Sequence, residues 1–288
     1  IDNKQRDRHQ SRIKTWQNKL QCAWDTKRPG AVYKWLRDSP LERMSFLERD
    51  DGSWTGAKEE LQQLTESEWR KEIYNKPGRP KPNRTHVLAK YGALLLPLTQ
   101  ACPVQAITGR DLAATARAWP DWKAGGADGW TAGHFKALPE CHMDWLADIC
   151  NAIESDPDAQ WPEACTQGLM VMIPKKAGVQ LPLQQRPLCL TALAYRVWST
   201  CRSRQTAGWL RSWVPNFVSG GVPGRGPEDT WGRISLRAEL ARLQGAGLAG
   251  CSVDLHKFFD LVDANLAIDL LETVGLDSGI YRGLRKLY

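Results

Sequence analysis

Nowhere in the 288 residues does an apolar run approach the length of a bilayer-spanning helix. The N-terminal Ile1-Asp2-Asn3-Lys4-Gln5-Arg6 also lacks the hydrophobic centre of a secretory signal. Both absences point to an intracellular chain with no membrane partner, the nucleus being left open among the compartments. Cysteines at C-x-x-C spacing are missing: the eight, from Cys22 to Cys251, are scattered, which excludes the common structural zinc frameworks and predicts reduced, mostly buried thiols. The nearest approach to a ligand cluster is Cys141-His142 with Cys150. No G-K-[ST] follows any glycine-rich stretch, so a phosphate-cradling P-loop is excluded. Internal repeats are absent as well. Phenylalanine is scarce, five against 14 tryptophans, and the aromatic part of the core is therefore expected to be built from tryptophan. The chain begins without Met, as expected of a piece of a longer reading frame.

What is present is a basic surplus in two blocks. Residues 1–90 carry 20 Lys or Arg against 13 Asp or Glu, and residues 160–250 carry 11 against 4, so each block is a candidate for contact with phosphate backbones. A hydrophobic share of 42% with 25% charged residues suits a soluble globular protein with a sizeable core.

Periodicity organises the chain. Residues 1–75 read as a helical lead-in, with Ile13, Trp16, Leu20 and Trp24 at helical spacing and a charged turn at Asp50-Asp51-Gly52 before a second helix. Three prolines within Lys76–Arg84 make residues 76–90 an extended linker, whose Gly78-Arg79-Pro80 could also enter a minor groove. Residues 91–288 form the main domain. Thr108 and Thr131 are helix-start signals. Residues Met143–Ile153 predict an amphipathic helix burying Trp145, Leu146, Ile149, Cys150 and Ile153. Leu169–Ile173 suits a buried strand. The run Leu190–Cys201 recurs at helical spacing and leaves Arg196, Arg202 and Arg204 towards the polar side. A helix over Trp231–Leu243, a glycine stop at Gly245–Gly250 and a last helix capped by Asp263 complete the pass.

The segment Cys251-Ser252-Val253-Asp254-Leu255-His256-Lys257-Phe258-Phe259-Asp260 carries the most chemistry. Val253 and Leu255 flank Asp254 as in a strand buried inside a sheet, and a carboxylate there must be paired or bind a cation, most simply magnesium. Upstream lie Lys123-Ala124-Gly125-Gly126-Ala127-Asp128-Gly129, then Ile173-Pro174-Lys175-Lys176-Ala177-Gly178, then Arg186-Pro187-Leu188-Cys189-Leu190, then Ser219-Gly220-Gly221-Val222-Pro223-Gly224-Arg225. The separation of eleven residues between Lys175 and Arg186, with Gly178 and Pro182 between, fits a hairpin that brings both cations to one face. By themselves Lys123 and Asp128 read as a simple turn.

In this order, the blocks resemble the reverse transcriptase of non-LTR, LINE-type retrotransposons, whose pattern runs K-x-x-G-x-D-G, I-P-K-K-x-G, R-P-I-x-L, G-F-x-x-G-R-S-T-x-D, and a strand ending in D with F-D shortly after. Each block alone is weak; five in sequence are specific. The likeness covers about residues 105–288. It implies an α+β fold: the helix-rich fingers and partial palm of a right-hand polymerase, truncated, behind a helical N-terminal region. It also implies RNA-directed DNA synthesis, with dNTPs added to a DNA primer or target on an RNA template by two Mg2+ (or Mn2+) ions.

On that likeness Asp254 and the backbone of Leu255 are metal ligands, Lys175 and Arg186 meet the incoming nucleotide, and Phe259 lies under its sugar. Lys123, Lys176, Arg196 and Arg225 are expected at nucleic acid. Where the family has Gln before the glycine loop and Phe after its first glycine, this chain has Ser219 with Gly220 inserted, and Val222. No Asp-Asp pair follows Asp254; the only one, Asp50-Asp51, lies far upstream. The expectation is a piece that is inactive by itself. The alternative is a non-catalytic nucleic-acid-binding fragment derived from such a polymerase.

Overall fold

The computed structural model describes residues 14–15, 17–18, 21–22, 46–49, 51–74, 82–96, 99–121, 123–175 and 181–288. Ile13, Trp16, Leu20, Trp24, Asp50, the Gly-Arg-Pro sequence and Lys176 therefore lie outside the described residues. The chain divides into two compact units, residues 1–61 with 172–186, and residues 62–171 with 187–288.

In the first unit, β1 (Leu47–Glu48) and β2 (Trp54–Thr55) pair antiparallel, Leu47 opposite Thr55 and Glu48 opposite Trp54. The turn between them is made by Gly52, whose φ of 80° suits a residue without Cβ, and by the Asp51 carboxylate, which accepts from the Ser53 N–H and hydroxyl. Arg49 closes the hairpin with two donations to Glu60, at 2.5 and 2.9 Å, and Thr55 Oγ1 donates to the same carboxylate at 2.7 Å. The Arg49 and Thr55 hydrogen bonds hold the Glu60 carboxyl at about 2, below its ordinary range. The charged turn was legible in the sequence; the small sheet around it was not.

Helix α1 (Lys58–Trp69) runs on into a π-helical turn, Arg70–Tyr74. In the second unit the next helix, α2 (Arg84–Leu95), occupies the back half of the expected linker. Its start is set by Asn83, whose side chain accepts from the His86 N–H at 2.8 Å, and the prolines that would prevent a helix all precede it. Helix α3 (Gly109–Arg117) begins at the expected Thr108, through a reciprocal capping box with Asp111. Helix α4 (Ala132–Ala137) begins at Thr131. Helix α5 (Glu140–Ser155) follows, and α6 (Glu163–Thr166) is a single turn.

Strands β3 (Gly168–Pro174) and β4 (Gln185–Thr191) pair with each other in a two-stranded sheet. Beyond them come α7 (Leu193–Trp213), α8 (Pro227–Leu243), the short α9 (Phe258–Leu261), α10 (Ala264–Thr273) and α11 (Ser278–Arg285).

The main core lies where α3, α5 and α7 meet. Leu112, Ala116, Met143, Ala147, Cys150, Ile153, Val197 and Trp198 are all buried there, with Trp161, Tyr195 and Trp198 packed ring against ring at 5.2–5.5 Å. Burial pushes the Cys150 thiol up to about 12, so it stays protonated and inert. Half of the cysteines are buried and half exposed, and none is bonded to another.

Helix α5 corrects the expected face. Trp145 is 61% exposed and Ile149 45%, while Met143, Ala147, Cys150 and Ile153 turn inwards. That face packs against α3 and α11, which sets the side of the helix that turns inwards.

Strand β3 is a second correction. It exists as expected, but Leu169 and Met170 are about half exposed, since among the described residues the sheet has two strands and no third.

A smaller core, Cys102, Trp209, Val274, Leu276 and Ile280, sits around the turn after α10. Gly275 there has φ +103°, and a Cβ would lie 2.1 Å from the Gln100 carbonyl oxygen. That approach is fixed by the bonds Gln100 N–H to Val274 O and Cys102 N–H to Gly275 O. Gly275→Ala should cost at least about 2 kcal/mol of unfolding free energy, measured by urea titration.

Candidate functional site

The segment around Asp254 differs from the sequence expectation. Residues 251–255 form no strand; Val253 is 77% exposed, Leu255 60%, and Asp254 is exposed with them. A buried strand needs neighbours on both edges, and no described strand pairs with this segment. The preceding α8 has no buried residue, and its Trp231, Ile234, Leu236, Leu240 and Leu243 are all exposed. Phe258 is 48% exposed, and Phe259 is 88% exposed. The two rings meet edge to face at 5.4 Å.

What holds this exposed segment is a residue that sequence reading passed over. Lys257 sits at φ 50°, ψ 37°, the one left-handed non-glycine among the described residues, and is buried. Its ammonium lies 3.8 Å from the centre of the Trp69 ring, at the end of α1. Helix α9, which starts immediately after Lys257, packs on the Arg70–Tyr74 turn. There Tyr74 is pushed up in pKa by burial, and then by the charges of Asp260 and Cys189.

The lead-in thus ends against the Asp254–Asp260 motif. Trp69→Ala should destabilise the fold by about 3 kcal/mol. Lys257→Gly should stay within about 1 kcal/mol of the parent, because relief of the left-handed backbone offsets the lost ring contact. Chemical denaturation of both variants measures the difference.

Lys175 and Arg186 lie in the first unit, whereas Asp254 and Phe259 lie in the second. The hairpin that was expected to carry the two cations is there. Lys175 follows β3, its N–H donates to the Gln184 carbonyl at 3.1 Å, and Arg186 is the second residue of β4. Both side chains are exposed.

The Lys123–Gly129 loop closes on the start of α7. The Asp128 carboxylate accepts from the Leu193 N–H at 3.3 Å, supplying the cap that Ala192 cannot. Gly126 runs so close to β4 that a Cβ would sit 2.4 Å from the Thr191 carbonyl oxygen, and Gly129 turns the chain at φ +70°. Arg196 donates to the Ala124 carbonyl, and Lys123 lies 3.9 Å over the Trp119 ring. Burial, and then the nearby Arg196, push the Lys123 ammonium down in pKa. The spacing of glycines and Asp in this block is accounted for by packing.

Arg225 is occupied differently from the expected template contact. Its guanidinium donates to the carbonyls of Pro215 (2.7 Å), Val218 (2.9 Å) and Val214 (3.1 Å) and to Asn216 Oδ1 (3.3 Å), tying the glycine loop to the end of α7.

Arg202, expected on the polar side of its helix, is instead 4% exposed and paired with Glu154. Sequence gave one faint signal for this: an acidic residue, Glu154, following the buried Ile153 near the end of α5.

For a divalent ion, the residues in hand supply one exposed carboxylate, Asp254, and the adjacent Leu255 carbonyl. No group of three or more His, Cys, Asp or Glu side chains could hold a metal among the described residues. A two-ion centre needs more carboxylates than this, so the described residues by themselves do not fit it. No described helix is long and apolar enough to cross a membrane.

No family model matches the chain. It is 27% identical over 184 residues, 63% of its length, to a protein of Xenopus laevis described as the transposon TX1 uncharacterized 149 kDa protein. The match takes in 14% of that relative's length.

Proposed function

We propose that this chain is the fingers and the start of the palm of an RNA-directed DNA polymerase of a non-LTR mobile element. The ordered blocks from Lys123 to Asp260 carry the reading, and the similarity to a transposon-encoded protein supports the mobile-element origin. Asp254 contributes one carboxylate of the nucleotidyl-transfer centre. Lys175 and Arg186, both solvent-exposed at the loop end of the β3–β4 pair, meet the triphosphate of the incoming nucleotide: an ammonium as a point charge, a guanidinium as a flat fork that can also stack. The exposed ring of Phe259 lies under the sugar and selects deoxynucleotides. One aspartate does not make a two-ion centre, so synthesis needs further carboxylates beside Asp254.

The test is primer extension on an RNA template by a longer polypeptide that includes this chain, with and without Asp254→Asn. Lost extension by the variant supports the reading. Extension that survives the substitution removes Asp254 from its role. A longer polypeptide that binds RNA but never extends a primer favours the non-catalytic binding fragment.

A further inference from the structure

A cleft in the second unit is lined by none of the motif-block residues. Helices α3, α4 and α5 enclose about 200 Å³ between them. Arg110 and Arg117, seven residues apart on α3, share one helix face and line it, and Lys136 of α4 adds a third cation. Phe135 and Met143, both buried in the core, form its apolar floor. The charges are unequally committed. Lys136 pairs with Asp121 at 2.7 Å, and Glu140 stands at the cleft. Arg110 and Arg117 make no hydrogen bond or ion pair with any described residue. Two arginines anchored about 10 Å apart along one helix, over a pocket with room for a phosphate and part of a sugar, offer a double contact to an anionic chain.

We infer that this cleft binds the sugar-phosphate backbone of single-stranded RNA, with Arg110 and Arg117 each contacting a phosphate. The inference rests on the polymerase reading for the choice of RNA, but it depends on none of the motif residues. It adds a template-side contact in the helices that flank the Lys123–Gly129 loop, with both arginines on α3 before it. The floor is carbon and the contacts are to phosphate, so binding is independent of base sequence. Glu140 opposes it by proximity of like charge.

The experiment is fluorescence anisotropy of a labelled single-stranded RNA on the full 288-residue chain, over a range of salt. In Arg110→Ala/Arg117→Ala the slope of log affinity against log salt should fall by about 1.4, and affinity at low salt should drop about tenfold. Arg110→Lys/Arg117→Lys should recover most of the slope, and Glu140→Gln should tighten binding. Both arginines are exposed on α3 and uncommitted, so the variants should keep the parent's circular dichroism and denaturation midpoint.

An unchanged slope in the double Ala variant overturns the inference, as does an absence of RNA binding by the parent chain. Millimolar inorganic phosphate that displaces the RNA would assign the cleft to small anions and overturn it too. None of these results reads primer extension, so the polymerase reading fails or stands separately, on the Asp254→Asn result.

Discussion

Glu154→Gln should lower the unfolding free energy by about 3–5 kcal/mol, the range found when one partner of a buried ion pair is removed. Glu154 and Arg202 are joined inside the second unit with side chains only 9% and 4% exposed. Arg202 Nε donates to Glu154 Oε1 at 2.7 Å, and its Nη2 donates to the other carboxylate oxygen. Trp198 Nε1 donates to Oε1 at 2.6 Å, so three donors converge on one carboxylate. The remaining Arg202 nitrogen donates to the Gln105 carbonyl at 2.6 Å and to Gln205. Arg282 Nε donates to the Glu154 backbone carbonyl at 2.6 Å, which brings α11 into the same junction.

A neutral amide at 154 would leave the Arg202 charge buried without a counter-ion and set an N–H group against a donor. A double variant, Glu154→Leu/Arg202→Met, should lose less than either single change, because no uncompensated charge then remains. Urea titration of the three variants, with the slope checked for two-state behaviour, measures both claims. A Glu154→Gln variant within 1 kcal/mol of the parent would show that the pair is not a structural centre.

Asp254→Asn in a longer, active polypeptide should reduce primer extension by at least about a thousandfold, equivalent to about 4 kcal/mol of barrier. The substitution keeps the shape of the side chain and removes its charge. Asp254 is exposed and its carboxylate makes no hydrogen bond or ion pair with a described residue, so the fold should lose less than about 0.5 kcal/mol. That separation makes the test clean: lost activity with an unchanged denaturation midpoint marks chemistry, and lost activity with a shifted midpoint marks misfolding. Arg225→Ala should behave in the opposite way. Its donations to four oxygen atoms around residues 214–218 should appear as lost stability of the glycine loop.

Helix starts were the most legible feature of the chain. Thr108, Thr131 and Asp263 each cap the helix that their spacing predicted, because a cap is a local hydrogen bond between residues three apart. The pairing of the strands on either side of Lys175 and Arg186 was also legible, from two apolar runs separated by Gly and Pro. Residues whose placement depends on distant partners were not. Arg202 reads as a solvent-facing cation on its own helix, and only Glu154, 48 residues away, makes its burial favourable. Lys257 reads as one more basic residue in a motif, and its backbone and burial depend on a tryptophan 188 positions earlier. The face of α5 was misjudged in part: Cys150 and Ile153 are buried as expected, but Met143 and Ala147, not Trp145 and Ile149, complete the face that packs on α3 and α11, because the helices it meets in the fold set which side turns inwards.

Order and identity of residues determined the chemistry that this chain can carry: the succession of basic and glycine-rich blocks, the carboxylate at 254, the caps, the tryptophan-rich core and the absence of a bilayer-length apolar run. The tertiary structure decided which of those groups remain free. It committed Arg225 and Arg202 to internal oxygens, left Asp254 and Phe259 in solvent, and left Arg110 and Arg117 uncommitted over a cleft. The physical reason is that a side chain's charge is written in one residue, whereas its burial and its partners are set by segments that meet only after the chain has folded.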